Sequence, residues 1–454
     1  MKILHVCYAD NGGGADNAAF RLCKAQRSIG IDARMLVVKK RTQHSFVQPA
    51  IPDWRQLEFK IRDRLVQKIV GLMPLANPTM HSVNVFPSFL HRKINQSGAD
   101  IVNLHWVGKE MISISEIGRI RKPIVWTVHD SWTFCGAEHH PHGLQDNRFA
   151  DGYEDAAQKP FDLNRWTWQR KADAWKRLNL QVVGPSRWIA AMAQKSKLLK
   201  SRPVHNIPNP LDTNVFCPGS KSKARALFNL PLDKKIVLFG SLRSAQDSNK
   251  GMDLLVAALG VLKEKHGSEN TLAVIFGMTQ DEETVDIGFP RQYVGKINGE
   301  ERMAMLYAAA DVMVVPSRME NLPQTATEPM ACGTPVVGFD IGGMPDIIRH
   351  RHNGYLAVPY DPSDLASGIA WAINHPDHAQ LSENARMFAL ENFSESGIAS
   401  RYVAIYEHLL YPDSVAAPGL MPILNDECVT SNDELTENQT SASIRTRKQN
   451  LILG

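Results

Sequence analysis

Two carboxylates eight residues apart, Glu320 and Glu328, lie in the run Pro316 to Glu328, which follows the apolar segment Val312–Val315. An ionised carboxylate only accepts hydrogen bonds, so a pair of them suits a ligand rich in hydroxyls. Eight helical steps span about 12 Å at ~1.5 Å each. That reach is comparable to a ribose, a folded diphosphate and an attached hexose in line. The same spacing fits two solvated acids on a helix, and spacing alone does not choose. Pro323 suits the first turn of a helix, and Gly333 suits its stop.

Cations and glycines accompany the acids. Arg243 follows the apolar run Ile236–Phe239, and Lys250-Gly251 opens the next helical pattern. Arg as a planar fork and Lys as a point charge suit a diphosphate, or else simply solvate a surface. Gly12-Gly13-Gly14 follows the first apolar run and opens a helix from Asp16 to about Ile29. Its backbone N–H groups suit an anion, or else make a tight turn. A dinucleotide fingerprint is excluded: Asn17 takes the third glycine position, and the second strand ends without an acid. His129, in Thr127-Val128-His129-Asp130, stands at the carboxyl end of a strand, placed for a ligand or for a structural bond. Cys135, His139, His140 and His142 are crowded in a way that matches no standard metal spacing.

Short apolar runs alternating with helical patterns must hold these groups. Strands are expected near Ile3–Cys7, Ala33–Val38, Ile101–Leu104, Ile124–Val128 and Gln181–Val183, then near Ile236–Phe239, Leu272–Phe276, Val312–Val315 and Val336–Phe339. The proline-rich stretch Pro203–Pro218 separates the two series. The pattern predicts an α/β chain of two doubly wound Rossmann-like domains, with the ligand in the cleft beyond the strands' carboxyl ends. The expected domains are 1–205 and 206–394. Residues 395–412 are expected to form a helix returning to the first domain. Residues 413–454 hold no aromatic residue, and their acids outnumber their bases, so a disordered tail is expected.

The 454 residues carry a formal charge of +4 and are 43% hydrophobic. This balance excludes a disordered chain and offers no concentrated basic footprint for nucleic acid. The 6 cysteines lie far apart without a C-x-x-C, which fits a reducing compartment. No apolar run reaches the roughly 18–20 residues that span a bilayer. Ile3–Cys7 is too short for a signal peptide core and reads as a buried strand.

Together these motifs resemble the retaining group 1 glycosyltransferases of GT-B architecture, whose hallmark is E-x₇-E, here Glu320 and Glu328. The resemblance runs from Met1 to about Leu410. It includes Gly12–Gly14, Val128-His129-Asp130, Gly184-Pro185-Ser186, Pro208-Asn209-Pro210, Lys250-Gly251, Pro316-Ser317, Cys332-Gly333-Thr334-Pro335 and Gly342-Gly343. His129 to Gly136, with Arg170-Lys171 and Trp175, is similar to the bacterial exopolysaccharide branch typified by colanic-acid synthesis.

The resemblance implies a nucleotide-sugar donor. Glu328 would meet its ribose, Lys250 and Arg243 its diphosphate, and Glu320 with the Asn321 and Leu322 backbone its sugar. Gly13 and Gly14 would complete the donor site, and His129 would face the sugar from the other domain. No cofactor and no metal are implied, because cations and a helix N-terminus stabilise the leaving diphosphate. The chain departs from the pattern at Ser241, where relatives carry the diphosphate Arg, at Pro323, where many carry Gly, and at Pro329 inside the helix.

Expected partners are a glycan or lipid-linked acceptor and an anionic membrane surface, with no nucleic acid. The expected location is cytoplasmic, at the inner face of the membrane. Trp54, Leu57, Ile61, Leu65 and Ile69 recur at helical spacing among Arg55, Lys60, Arg62, Arg64 and Lys68. Such a helix docks on anionic lipid or packs on the core. Trp166, Trp168 and Trp175 suit a membrane, a sugar or the core equally. Competing functions are a non-hydrolysing sugar-nucleotide epimerase and a non-catalytic sugar-binding partner of a polysaccharide assembly complex.

Overall fold

The computed structural model describes residues 1–73, 75, 77, 79–143, 145–158, 161–240, 247–279 and 286–412. Arg243, the Ser241 position and the tail 413–454 lie outside the described residues.

Nine apolar runs become strands within a residue or two of their expected ends. The first sheet comprises β1 (Lys2–Ala9), β2 (Asp32–Lys39), β3 (Val47–Pro49), β4 (Ile101–Leu104), β5 (Ile124–Thr127), β6 (Leu180–Gly184) and β7 (Val204–Asn206). The second comprises β8 (Lys235–Gly240), β9 (Thr271–Phe276), β10 (Arg291–Gly295), β11 (Val312–Val315), β12 (Val336–Phe339) and β13 (Gly354–Ala357). Their orders are β3-β2-β1-β4-β5-β6-β7 and β10-β9-β8-β11-β12-β13. Every pairing is parallel. Both sheets are therefore doubly wound, with helices on both faces, so the central strands are buried throughout and read as continuous apolar runs.

The four strands that hydrophobicity missed, β3, β7, β10 and β13, are the four sheet edges. An edge strand buries less and pairs on one side only, so its sequence carries a weaker apolar signal. β7 also corrects the reading of Pro203–Pro218 as linker throughout, because Val204–Asn206 completes the first sheet.

The core of the first sheet includes residues from the far end of the chain. Helix Glu395–Leu410 packs Ile398, Tyr402, Ile405 and Tyr406 against β1, β2 and helix Gly14–Ser28. Tyr402 OH meets Thr127 Oγ1 at 3.0 Å, and Gln26 Nε2 donates to Tyr406 OH at 2.9 Å.

The loops after the strands' carboxyl ends in the two sheets face and touch one another. Asn321, beyond β11, donates from Nδ2 to Val128 O (3.2 Å) and His129 O (3.1 Å), beyond β5. Its Oδ1 accepts from Ser186 Oγ at 2.7 Å, beyond β6. Gln324 Nε2 donates to Gly14 O at 2.9 Å, beyond β1. One side chain, Asn321, thus ties three loops together.

Candidate active site

Glu328 lies on helix Gln324–Ala331, capped by Pro323 and followed by Cys332 and Gly333 as the sequence predicts. Glu320 does not share that helix. It sits four residues before Gln324 in the loop after β11, so the estimate of eight helical steps does not describe the real path.

What holds Glu320 in place is a backbone contact. Gly343 N donates to Glu320 O at 3.0 Å. A Cβ on Gly343 would lie 1.5 Å from Asn321 O, so only glycine lets the two loops approach this closely. The Glu320 carboxylate accepts from Lys250 Nζ at 2.6 Å, and this contact raises the ammonium pKa against the cost of burial. Lys250 follows a turn whose next residue, Gly251, has φ +65°. A Cβ there would stand 1.9 Å from Pro316 O. Lys250 and Glu320, 70 positions apart, therefore meet because two glycine-dependent turns are pressed together.

Glu328 is buried. Its Oε1 accepts from Arg21 Nη2 at 2.7 Å and its Oε2 from Tyr307 OH at 3.0 Å. Burial pushes its pKa up, and Arg21 and Tyr307 oppose that shift. Arg21 comes from helix Gly14–Ser28 on the other sheet and also binds Glu300 Oε1 through Nε and Nη2. Nothing in the sequence marks Arg21. A helical Arg facing inward shows itself only by what it touches.

Gly13 caps helix Gly14–Ser28 with extended backbone, and its O accepts from Asn17 N at 2.9 Å. At Gly14 nothing lies within 4 Å of an added Cβ, so that position opens on free space beside Gln324. Leu322 is buried in the core of the second sheet. The structure therefore brings Gly13, Gly14, His129, Lys250, Glu320, Asn321 and Glu328 to the facing ends of the two sheets.

His129 Nε2 lies 3.0 Å from His105 Nδ1, and the two rings are edge to edge and near-coplanar, with centroids 5.3 Å apart. Burial lowers its pKa to about 4, so it is neutral at pH 7. The residues beside it are structural. Ser82 Oγ, His139 and Asp130 are bonded in series at 2.8 and 2.6 Å, the connectivity of a nucleophilic triad. Ser82 is buried and only 1% exposed, so no substrate reaches its hydroxyl. The series instead fixes Asp130, which also accepts from Trp106 Nε1 at 2.7 Å.

Lys171 is buried and donates to the carbonyls of Trp132, Cys135 (3.1 Å) and Gly136 (2.7 Å). It lies 3.8 Å from the Trp132 ring centroid. This contact and the three carbonyl bonds hold the turn after His129, while burial pushes the Lys171 pKa well down. Trp168 and Trp175 are buried, which assigns them to packing. Among the described residues, no three or more His, Cys, Asp or Glu side chains are grouped to hold a metal.

A second set of cations stands at the same strand ends. Lys39 Nζ and Lys109 Nζ lie 5.3 and 5.5 Å from the Tyr8 ring centroid. Burial and the neighbouring charges of Lys109, Arg41 and Lys60 lower the Lys39 pKa. Lys60 belongs to helix Gln56–Val70, on which Phe59, Val66 and Val70 face inward. Trp54, Leu57, Ile61, Leu65 and Ile69 are 47% to 78% exposed. Core packing is thereby excluded for that stripe. Among the described residues, no helix is long and apolar enough to cross a membrane.

Residues 12–215 match the family described as Glycosyltransferase Family 4, and residues 220–388 match Glycosyl transferases group 1. An uncharacterized glycosyltransferase of Methanocaldococcus jannaschii is 28% identical over 214 residues, 46% of this chain and 54% of that protein. A D-inositol 3-phosphate glycosyltransferase of Mycobacteroides abscessus is 36% identical over 169 residues, 35% of this chain and 36% of that protein. The chain spans about half the length of the curated relatives it matches. Among solved structures, Anabaena HepE in complex with UDP and glucose aligns with TM-score 0.60 at 18% identity, covering 89% of this chain and 99% of that one. Sucrose-phosphate synthase from Thermosynechococcus elongatus aligns with TM-score 0.59 at 19% identity, covering 90% and 99%. These likenesses establish the GT-B fold. Over these two stretches the chain belongs to the group 1, family 4 glycosyltransferases.

Proposed function

We propose that the chain is a retaining, metal-independent glycosyltransferase. It would move a sugar from a nucleotide-sugar to a glycan or lipid-linked oligosaccharide in bacterial polysaccharide biosynthesis. The observation that carries this reading is the meeting of Glu320, Lys250 and Glu328 from one sheet with His129 and the Gly13-Gly14 turn from the other. Glu328 accepts from the ribose hydroxyls, using the lone pairs that Arg21 and Tyr307 leave. Lys250, with Arg243, holds the diphosphate. Glu320 and the Asn321-Leu322 backbone hold the sugar, and His129 faces it.

The bond from the anomeric carbon to the diphosphate oxygen breaks while the acceptor oxygen bonds to that carbon on the same face. The acceptor's proton passes to the departing phosphate oxygen. Fixed cations stabilise the diphosphate charge without reorganising.

The exposed stripe from Trp54 to Ile69, flanked by Lys60, Arg64 and Lys68, supports docking on an anionic membrane. Lys109, Arg41 and Lys60 all act on the charge of Lys39, which favours an acceptor presented from that surface. The exopolysaccharide branch rests on the likeness of His129 to Gly136, with Arg170-Lys171 and Trp175, to that branch.

The test is a screen of UDP- and GDP-sugars for nucleotide release, with and without a lipid-linked acceptor. UDP-glucose comes first because HepE was solved with it. Acceptor-dependent release is expected. An isomerised nucleotide-sugar formed without acceptor would identify an epimerase instead, and absence of turnover with every donor would leave a binding protein.

A further inference from the structure

Behind His129 runs a continuous line of hydrogen bonds whose direction can be derived from its far end. The Asn103 side-chain nitrogen faces two backbone carbonyls, Val125 O at 3.0 Å and Leu104 O at 3.3 Å, with Thr127 Oγ1 at 3.1 Å. A carbonyl oxygen only accepts, so the amide nitrogen of Asn103 must stand there. Its Oδ1 then faces Tyr406 OH at 2.7 Å, and the tyrosine must donate its one proton to it. Tyr406 oxygen is left to accept from Gln26 Nε2 at 2.9 Å. This turns Gln26 Oε1 toward His5 Nε2, 2.9 Å away, and His5 Nε2 must carry a proton.

From there each neutral imidazole sets the next. His5 Nδ1 is bare and accepts from His105 Nε2 at 2.9 Å. His105 Nδ1 is then bare and accepts from His129 Nε2 at 3.0 Å. The rings of His5 and His105 lie edge to edge and near-coplanar, 22° apart with centroids 5.2 Å apart, and His105 and His129 are arranged alike, as in-plane hydrogen bonds require.

We propose that His5 and His105, with Gln26 and Tyr406 behind them, are positioning residues that lock His129 as the Nε2–H tautomer, so that its bare Nδ1 accepts a hydrogen bond from a hydroxyl of the donor sugar. The second half rests on the proposed glycosyl transfer; the tautomer does not. The line is a lock and not a proton wire, because it ends on an amide that neither takes up nor releases a proton. Burial reinforces the neutral state, lowering His5 to about 4 and His105 well below its ordinary value. A neutral acceptor beside the sugar places a lone pair, rather than a competing cation, where positive charge develops.

The experiment labels the histidines of the full chain with ¹⁵N and reads each ring by long-range proton–nitrogen correlation at neutral pH. His129 signals are assigned by their loss in His129→Ala. The expected result is a single His129 form protonated on Nε2 and bare on Nδ1. Tyr406→Phe removes the group that orients Gln26 while leaving the site untouched. It is expected to add a second His129 form protonated on Nδ1, and Gln26→Met to do the same if Tyr406→Phe folds poorly. Wild-type His129 protonated on Nδ1 or on both nitrogens overturns the lock, as do unchanged ring signals in folded variants. In Tyr406→Phe, kcat should fall roughly fivefold, the equivalent of one ordinary neutral hydrogen bond, with nucleotide affinity unchanged. Equal kcat with mixed tautomers overturns the sugar-facing role alone. The nitrogen spectra stand whether or not the chain transfers sugar.

Discussion

Arg21 Nη2 lies 2.7 Å from Glu328 Oε1, so a base on the first sheet's helix neutralises the buried acid of the second. Both side chains are less than a tenth exposed, and Arg21 also binds Glu300. Glu328 is therefore oriented by a cation and by the Tyr307 hydroxyl within the fold itself.

Glu328→Ala is expected to weaken nucleotide binding by about 1.5–3 kcal/mol for each charge-assisted bond lost. It also strands Arg21, and breaking such a buried pair costs about 3–5 kcal/mol of stability. Glu328→Gln, which keeps the volume, separates the two effects. Calorimetric titration of the folded variants checks this, and unchanged affinity for both nucleotide and nucleotide-sugar would remove Glu328 from the site.

His129→Ala should lose turnover far more than nucleotide affinity, because Lys250, Glu320 and Glu328 all lie on the other sheet. A contact strengthened as charge develops lowers the barrier rather than improving ground-state binding. A loss of about 10²–10³-fold in single-turnover transfer is expected by analogy with other groups that stabilise developing charge. Equal rates would make His129 a structural histidine.

Stability should fall below about pH 4 with a component that belongs to Asp130. Burial opposes its charge, but His139 and the Trp132 N–H outweigh burial and lower its pKa from 3.8 to about 2. The folded pKa lies below the unfolded one, so this stabilisation is present above about pH 4 and lost as pH falls toward 2. It is worth about 2 kcal/mol. Urea midpoints at pH 5 and pH 2.5 should differ less in Asp130→Asn than in wild type. An identical difference would show that Asp130 carries no such linkage.

Turnover should survive exhaustive EDTA treatment, because in the proposed site Lys250 and Arg243 would supply the charge a divalent ion otherwise brings to the diphosphate. Activity lost to EDTA and restored specifically by one divalent ion would refute this.

The chain should sediment with phosphatidylglycerol vesicles at low salt and less so with phosphatidylcholine. The triple change Leu57→Ser, Ile61→Ser and Leu65→Ser removes three exposed apolar groups, each worth about 1.5–3 kcal/mol if buried in lipid. Vesicle affinity should fall at least about 10²-fold without loss of thermal stability, since none of the three supports the core. Binding equal to wild type would send the stripe to some other partner.

Much of this architecture was legible in the chain. A central parallel strand is buried on both faces, so Val312–Val315 and Ile124–Thr127 announce themselves as unbroken apolar runs. The order of motifs around Glu320 and Glu328 identified the family, and glycines such as Gly343 stand where no other residue fits. Edge strands escaped because they are only half-covered. Hydrophobic spacing could not say whether Leu57 and Ile61 face the core or the solvent, because the period of a helix is the same in both cases. Tertiary structure decided that, and it decided the partners. Arg21 stands 307 positions from Glu328, and Tyr406 stands 303 from Asn103. No local pattern encodes such distances; the first exists only once helix 14–28 of one sheet meets helix 324–331 of the other, and the second only once helix 395–410 has packed on the first sheet. Three histidines at positions 5, 105 and 129 look unrelated in the chain, and become one directed line because β1, β4 and β5 lie side by side.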